Sequence, residues 1–332
     1  MEEFVAERLL RGDKAAKTQA AVELSNLSRK QRHKLAERGV ISPLISILHS
    51  QDHNSIEAAL SALLSLAFGS ERNKVLIVKS GAVPILIEIL QSETRTAIVE
   101  LAMAFLLILS SCNKNKPKIA SSGVIQLLVR LIGCTDALSV QANADAISTL
   151  HNLSTHRHII PMIISAGATY ALLKVINFSD KSSELAEKAA ALLENTTAHS
   201  PDSASCIEGA IGVLVEAIEE GSAQCKEHAV GILLRVCKWD RETYRGMILR
   251  EGVMPGLLQV SVDGTWRGKE MARELLLLLR DSSGSGYGFK GKQSKKELVE
   301  EIMREIDEGG EEIHGGTTLR LVEEMIARLS ST

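Results

Sequence analysis

The chain has 332 residues, of which 45% are apolar, only 3% are aromatic and six are proline. Leu, Ile, Val and Ala therefore supply almost all of the core, whereas β-sandwiches, propellers and most barrels need aromatic and β-branched strands separated by turns. The formal net charge of −3 lacks the basic footprint of a DNA-binding protein, and the scarcity of aromatics disfavours RNA binders that stack bases on rings. Composition predicts an all-α protein that binds no nucleic acid.

The N-terminal sequence MEEFVAERLLRGDK is charged throughout and lacks the apolar core of a signal peptide. The most apolar run, 101–109, is about half as long as the roughly 20 residues that span a bilayer. The cysteines form no CxxC pair and leave an odd one over, so we interpret them as small core or groove residues in a reducing compartment; they are Cys112, Cys134, Cys206, Cys225 and Cys237. We expect a cytoplasmic or nuclear protein without a membrane span.

Along the chain, one glycine-led apolar phrase returns six times. The phrases are GVISPLISIL, GAVPILIEIL, GVIQLLVRLI, GATYALLKVI, GAIGVLVEAI and GVMPGLLQVS, which start at Gly39, Gly81, Gly123, Gly167, Gly209 and Gly252. Successive glycines are 42, 42, 44, 42 and 43 residues apart. A period this regular indicates a repeat array, and we expect all six glycines to occupy equivalent turns between helices.

Each period predicts three helices. A short helix precedes the glycine, which permits a sharp turn. The second helix carries a buried stripe that includes Ile89 and Leu128. In three repeats a proline falls in its first turn, where the missing N–H costs little; these are Pro43, Pro84 and Pro255. A longer helix rich in Ala and Leu completes the period, and three helices in about 42 residues is the length of HEAT and armadillo repeats.

The order of these helices resembles the armadillo repeat. The phrases ELSNLS at 23–28 and TLHNLS at 149–154 match the end of its third helix. The resemblance covers about residues 4–280 and implies a right-handed armadillo-repeat solenoid. The phrase ERNKVLIVKSGAVPILIEIL is most similar to the repeat arrays of plant U-box ubiquitin ligases. The sequence contains no U-box-like phrase, so the resemblance implies the binding array and not the module that recruits an E2 enzyme.

These observations predict three segments. The repeat array spans 2–280, with 2–28 as a partial first repeat that caps six full ones. The composition of 281–294 predicts a flexible linker. Residues 295–332 predict a pair of amphipathic helices with ten acidic and five basic residues. We interpret the pair as a C-terminal cap, with an acidic segment that covers the edge of the array as the alternative.

The armadillo resemblance implies a concave groove lined by the third helices. In that family an Asn near the end of each third helix binds the backbone of a partner segment, since one amide offers both a donor and an acceptor. Alignment on LHNL places Asn26, Ser65, Ile108, Asn152, Asn195 and Arg235 at this groove position. We take five of them as candidate protein-binding residues, namely Asn26, Ser65, Asn152, Asn195 and Arg235. The alternative for Asn152 and Asn195 is a side chain that caps the local backbone.

Import adaptors of the importin-alpha type pair that Asn with a Trp four residues earlier. In this chain the minus-four residues are Val22, Ser61, Ala104, Ser148, Ala191 and Gly231. The missing Trp residues and the charge of Arg235 argue against a receptor for basic peptides. Small residues instead leave a wide trough that admits a partner helix, and Arg235 favours acidic or phosphorylated segments.

Other polar residues give weaker patterns. His151, His156 and His158 have no carboxylate or cysteine at ligand spacing, so we interpret the latter two as a solvated loop and not as a metal site. The run RKQRHKLAER at 29–38 is either a solvated basic face or a docking site for acidic tails and phosphates.

No catalytic or cofactor-binding arrangement is present. We expect a non-enzymatic scaffold for protein partners; the alternative is a substrate receptor or regulator in the ubiquitin pathway.

Overall fold

The computed structural model describes residues 2–93, 95–134, 138–199 and 207–280. Within these ranges the regular structure is helical and no strand occurs, which confirms the predicted all-α repeat array. The linker and the helical pair predicted at 281–332, together with their alternative functions, lie outside the described residues.

Nineteen α-helices are numbered here in chain order within the described ranges. The first ten are α1 Glu2–Arg11, α2 Lys14–Ser25, α3 Arg29–Glu37, α4 Ile41–Ile47, α5 His53–Ala67, α6 Glu71–Lys79, α7 Ala82–Ser92, α8 Thr96–Ser110, α9 Lys116–Ala120 and α10 Val124–Gly133. The others are α11 Val140–Ser154, α12 Ile160–Ser165, α13 Ala168–Phe178, α14 Glu184–Thr197, α15 Ile211–Glu220, α16 Ala223–Trp239, α17 Arg241–Arg250, α18 Met254–Asp263 and α19 Trp266–Leu279. A single 3-10 turn, Arg157–Ile159, precedes α12.

The third helices of the repeats form one continuous row. They are α2, α5, α8, α11, α14, α16 and α19, and each packs against the next along the chain. Most of them begin at a side chain that accepts a hydrogen bond from a backbone N–H in the first turn, which satisfies one of the unpaired donors at a helix start; these caps are Asp13, Asp52, Ser139, Ser183, Ser222 and Thr265. Short polar residues therefore mark where the row begins in each repeat.

Five of the six repeat glycines occupy the same turn. Gly39, Gly81, Gly123, Gly167 and Gly252 have φ between 74° and 91°, a left-handed conformation that only glycine adopts readily. The prediction that all six are equivalent is wrong at Gly209, whose φ is not in that region. There Ala210 precedes α15 with φ −126° and ψ 11°, a backbone open to any residue, so this turn needs no left-handed glycine.

One apolar core runs through the array from Val5 in α1 to Leu279 in α19. The second-helix stripe is buried as predicted, with Ile89 7% and Leu128 0% exposed. Three cysteines are buried, Cys134 is exposed, and Cys206 lies outside the described residues; the buried ones are Cys112, Cys225 and Cys237. Burial raises the pKa of the Cys225 thiol to about 11, so it remains a protonated core residue at neutral pH.

Within the part of the chain that the structure describes, no single helix is both long and apolar enough to cross a membrane. Two helix pairs, α6 with α7 and 157–165 with α13, reach that length and apolarity only together, and they are bent by 74° and 73°.

Candidate protein-binding groove

The five candidate groove residues all lie at or near the C-terminal ends of third helices. Asn26 is exposed just after α2, and Ser65 is half-buried in α5. The remaining three are half-buried on α11, α14 and α16; they are Asn152, Asn195 and Arg235. The structure therefore distributes them along one row, as the repeat alignment predicts.

Two of the candidate amides are held by the preceding repeat. Asn152 Nδ2 donates to Ser110 Oγ at 3.1 Å, and Asn195 Nδ2 donates to Ser154 Oγ at 2.7 Å. Each serine hydroxyl in turn donates to a carbonyl of its own helix at 2.8 Å. The alternative in which these amides cap local backbone is therefore wrong. Only Asn26 behaves in that way, with Nδ2 3.3 Å from the Val22 carbonyl oxygen.

The N-terminal ends of third helices are joined by a second set of hydrogen bonds. Ser139 Oγ donates to Glu100 Oε1 at 2.6 Å, and Ser222 Oγ donates to Glu187 Oε2 at 3.1 Å. Thr265 Oγ1 donates to Glu227 in the same way. Because these hydroxyls are also the helix caps, each one accepts a backbone N–H and donates to a carboxylate of the preceding repeat.

A buried carboxylate, Glu194 in α14, joins three third helices. Its Oε2 lies 2.8 Å from His228 Nδ1, and its Oε1 accepts a hydrogen bond from Arg267 of α19. Arg267 also donates to Glu227 Oε1 at 2.7 Å. Burial alone raises the pKa of Glu194, but the hydrogen bonds and charges of His228 and Arg267 outweigh that effect and hold its pKa below the usual range.

Gly231 in α16 leaves the space that Glu194 occupies. A Cβ atom at position 231 would lie 2.5 Å from Glu194 Oε1 and 2.8 Å from its Cδ. Arg235 of the same helix has Nη2 3.4 Å from Glu194 Oε1. The charge of Arg235, which the sequence predicts to favour an acidic ligand, therefore faces a carboxylate of the protein itself.

Two depressions lie on the row of third helices. One, of about 410 Å³, is lined only by residues at α2 and α5; they are Val22, Ser25, Asn26, Asn54, Glu57, Ala58 and Ser61. The other, of about 260 Å³, is lined only by α11, α14 and α16; its residues are Ile147, Ser148, His151, Asn152, Glu187, Lys188, Ala191 and His228. Each depression contains minus-four residues together with a groove asparagine, as expected if small side chains there open the trough.

The three histidines that the sequence offers as metal ligands do not form one cluster in the structure. His151 lines the second depression, whereas His156 and His158 lie after α11 with ring centroids 5.8 Å apart. Burial, followed by the nearby charges of His228 and Lys116, lowers the pKa of His151. Among the described residues, no group of three or more His, Cys, Asp or Glu side chains could hold a metal ion.

The basic segment 29–38 makes many contacts with its own chain. Lys34 and Arg38 pair with Glu2 and Glu3 at 2.7 and 2.9 Å. Two arginines of α3 donate to backbone carbonyls at 2.8 and 2.9 Å; these are Arg29 and Arg32. A phosphate or acidic tail would compete with these partners, which weakens the docking-site interpretation.

Comparison with known protein families agrees with this arrangement of helices. The plant U-box protein ARM repeat region matches residues 2–210 and 121–287. The chain belongs to this family. U-box domain-containing protein 45 of Arabidopsis thaliana is 33% identical to it over 144 residues, which are 43% of this chain and 18% of that protein. This ARM repeat chain thus aligns with less than a fifth of that relative's length.

Solved structures of engineered proteins share the ARM repeat fold. An engineered protein has a TM-score of 0.62 at 22% identity, with 71% of this chain and 96% of that one covered. Computationally designed armadillo repeat proteins for modular peptide recognition give 0.54 at 18% identity, with 84% and 99% covered. A designed armadillo repeat protein in complex with the peptide (KR)4 gives 0.50 at 17% identity, with 83% and 98% covered. At these identities the likeness concerns the fold alone.

Sequence reasoning missed the charged residues around the second depression. The repeat alignment does not distinguish Glu194, which precedes a groove asparagine, and it contains Gly231 only as a small minus-four residue. It gives no indication of His228 or Arg267. The sequence does contain one usable signal, which is Gly231 itself. Glycine destabilises the interior of a long helix, so its presence there indicates that another group occupies the space of a side chain.

Proposed function

We propose that this ARM repeat chain is a non-enzymatic protein-interaction scaffold that binds a partner segment along its row of third helices. The observation that carries the proposal is that both depressions are lined only by residues of the third helices and by Asn26, the residue that follows α2. Concave surfaces of stacked repeats are the usual binding faces of such arrays, and peptide segments bind proteins in extended or helical form in grooves of this kind.

The held asparagines support this proposal. Asn152 and Asn195 each use one side-chain amide N–H on the preceding repeat, and neither side-chain Oδ1 accepts a hydrogen bond from the described residues. Two fixed acceptors one repeat apart suit the backbone N–H groups of a bound segment, and fixing them beforehand lowers the entropy cost of binding. The designed armadillo repeat proteins named above bind peptides according to their titles, which supports protein partners by analogy of fold.

A second candidate function is that of a substrate receptor or regulator in the ubiquitin pathway. Its support is membership of the plant U-box ARM family and the similarity to U-box domain-containing protein 45. The two candidates are distinguished by incubating the chain with ubiquitin, an E1 and an E2 enzyme. Ubiquitin transfer or stable E2 binding favours the second candidate, and partner binding without either favours the scaffold alone.

The scaffold proposal is tested with a partner obtained by affinity capture and mass spectrometry. Binding is then measured for Asn152→Ala and Asn195→Ala, with Tyr170→Ala as the matched control because Tyr170 is 74% exposed on second helix α13. Each Asn variant should weaken binding by about 1–3 kcal/mol, since a buried partner group is left unsatisfied. Arg235→Gln should change mainly the dependence of binding on salt.

The folding of each variant is checked by thermal melting, because both amides also bridge repeats. Unchanged affinity in all three groove variants would place the partner site away from the third helices, and a loss in Tyr170→Ala alone would place it on the second helices.

A further inference from the structure

The depression between α11, α14 and α16, called here the α11–α16 pocket, has the size of one large side chain or two small ones. Its volume is about 260 Å³. Ile147 is fully buried at its base, and Ala191 and Ser148 add small side chains to the walls. An apolar interior of this size favours burial of a mainly apolar group.

His228 contributes a ring of fixed orientation to the wall of the pocket. The carboxylate of Glu194 is ionised and can only accept hydrogen bonds, so His228 Nδ1, 2.8 Å away, must carry the proton that joins them. Its Nε2 has no hydrogen-bond partner among the described residues. Arg267 holds Glu194 from the far side, so the ring is supported by α14 and α19.

Asn152 contributes a hydrogen-bond acceptor to the same pocket. Its Nδ2 is bound to Ser110 Oγ at 3.1 Å, which fixes the amide and leaves Oδ1 without a donor among the described residues. The His151 ring makes no hydrogen bond to them, and its lowered pKa favours the neutral ring at pH 7. Asn152 Oδ1 therefore gives the pocket a fixed acceptor for a donor group on the ligand.

The charges around the pocket are already compensated. Lys188 Nζ lies 2.9 Å from Glu184 Oε1 within α14, and the Glu187 carboxylate accepts from Ser222 at 3.1 Å. Glu194 is paired with His228 and Arg267. A charged ligand would have to compete with these internal partners, whereas a neutral group with a donor would not.

We propose that the α11–α16 pocket accepts one aromatic side chain with a hydrogen-bond donor at its edge, the phenol of tyrosine or the indole of tryptophan, from a protein partner. This inference rests on the proposed scaffold function and names the residue that anchors the partner. Tyr and Trp combine a large apolar body with one donor, and such residues dominate the binding energy of protein interfaces when they fill a central pocket.

The test uses small aromatic probes with the full chain. 4-Methylphenol and 3-methylindole stand for the two side chains, and 4-methylanisole and 1,3-dimethylindole are matched analogues without the donor. Binding is followed by the ring-proton NMR signals of His151 and His228. At least one donor-bearing probe should shift both signals and bind about 3–10-fold more tightly than its analogue. The pair that shows the larger ratio distinguishes phenol from indole.

Two leucine variants localise the binding. Ala191→Leu places bulk in the α11–α16 pocket and should abolish the shifts. Ser61→Leu makes the equivalent change at the minus-four position of the depression between α2 and α5 and should leave them unchanged. Equal binding of donor and donor-free probes, or no shift at either histidine, overturns the inference. If that result accompanies weakened partner binding in Asn152→Ala and Asn195→Ala, the scaffold function stands and the anchor assignment alone fails.

Discussion

The two ends of the groove satisfy their polar groups in different ways. At the N-terminal end, α2 and α5 are joined by neutral side chains, with Thr18 Oγ1 2.9 Å from Ser55 Oγ. None of the ion pairs formed by the described residues joins two of the helices α2, α5, α8 and α11. At the C-terminal end, Glu194 alone contacts His228, Arg235 and Arg267 across α14, α16 and α19.

This difference shows how the cost of burial depends on charge. A neutral hydroxyl or amide is satisfied by one or two partners, and losing one costs about 1 kcal/mol. A buried carboxylate requires several donors at once, so removing any one of them leaves charge in a place where water does not reach. We therefore expect the C-terminal end of the groove to be the less tolerant of substitution.

The largest expected effect follows from removing Arg267. Arg267→Met leaves both Glu194 and Glu227, whose side chains are 5% and 10% exposed, without their shared partner. Stability to urea should fall by about 3 kcal/mol. Lys238→Met is the control, because Lys238 and Glu274 form an exposed pair at 2.6 Å that is worth about 0–1 kcal/mol. Both pairs lie at the C-terminal end of the groove, so equal losses in the two variants would mean that burial of the carboxylates does not set the cost.

A smaller effect is expected from adding one methyl group to α16. Gly231→Ala should destabilise the protein by about 1–2 kcal/mol, because the new Cβ meets a carboxylate that its hydrogen bonds prevent from moving. Gly246→Ala in α17 is the matched control, since nothing lies within 4 Å of its Cβ. There the gain in helix propensity should stabilise by about 0.5–1 kcal/mol. Thermal melting of both variants gives the comparison, and a stabilising Gly231→Ala would mean that Glu194 has room to move.

The smallest effect concerns pH and His151. Its pKa is lower in the folded chain than the ordinary value of 6.5, so the unfolded chain takes up the proton first as pH falls. Stability is therefore greatest above about pH 6.5 and decreases below it. Between pH 8 and 5.5 the wild type should lose more stability than His151→Gln, by on the order of 0.5 kcal/mol.

The chosen pH range avoids Glu194, whose lowered pKa affects stability only below about pH 4.5. His33→Gln on α3 is the control, because this half-exposed ring lies outside the pocket. The measured quantity is the difference in pH dependence between the two variants, and an unchanged dependence in His151→Gln would show that this ring is not the group responsible.

The sequence predicts the features that repeat and misses those that occur once. The period, the turns at Gly39 and four related glycines, and the burial of Leu128 recur in each unit, so every copy supports the same interpretation. Glu194 has no such support, because the aligned positions in the neighbouring repeats are His151 and Leu234. Its partners come from two other repeats, and only packed side chains in three dimensions bring them together.

Gly209 shows a case in which the repeat pattern predicts a backbone conformation that the structure does not have. The glycine is present at the predicted place, yet its backbone is not left-handed, since the neighbouring Ala210 makes the turn in an ordinary conformation. A repeated residue indicates a repeated turn between helices but does not by itself fix the backbone conformation of that turn.

The hydrogen bond between Arg267 and Glu194 spans 73 residues, whereas the Asn152 and Asn195 bridges span 42 and 41. Arrays in which each unit contacts only its neighbours can fray from an end, one unit after another. A contact that passes over α16 couples α14 to α19, so α19 cannot open without disturbing the third helix two positions before it in the row. Amide hydrogens of α14, α16 and α19 should therefore exchange with solvent as one cooperative block, and those of α2 should exchange more readily than this block.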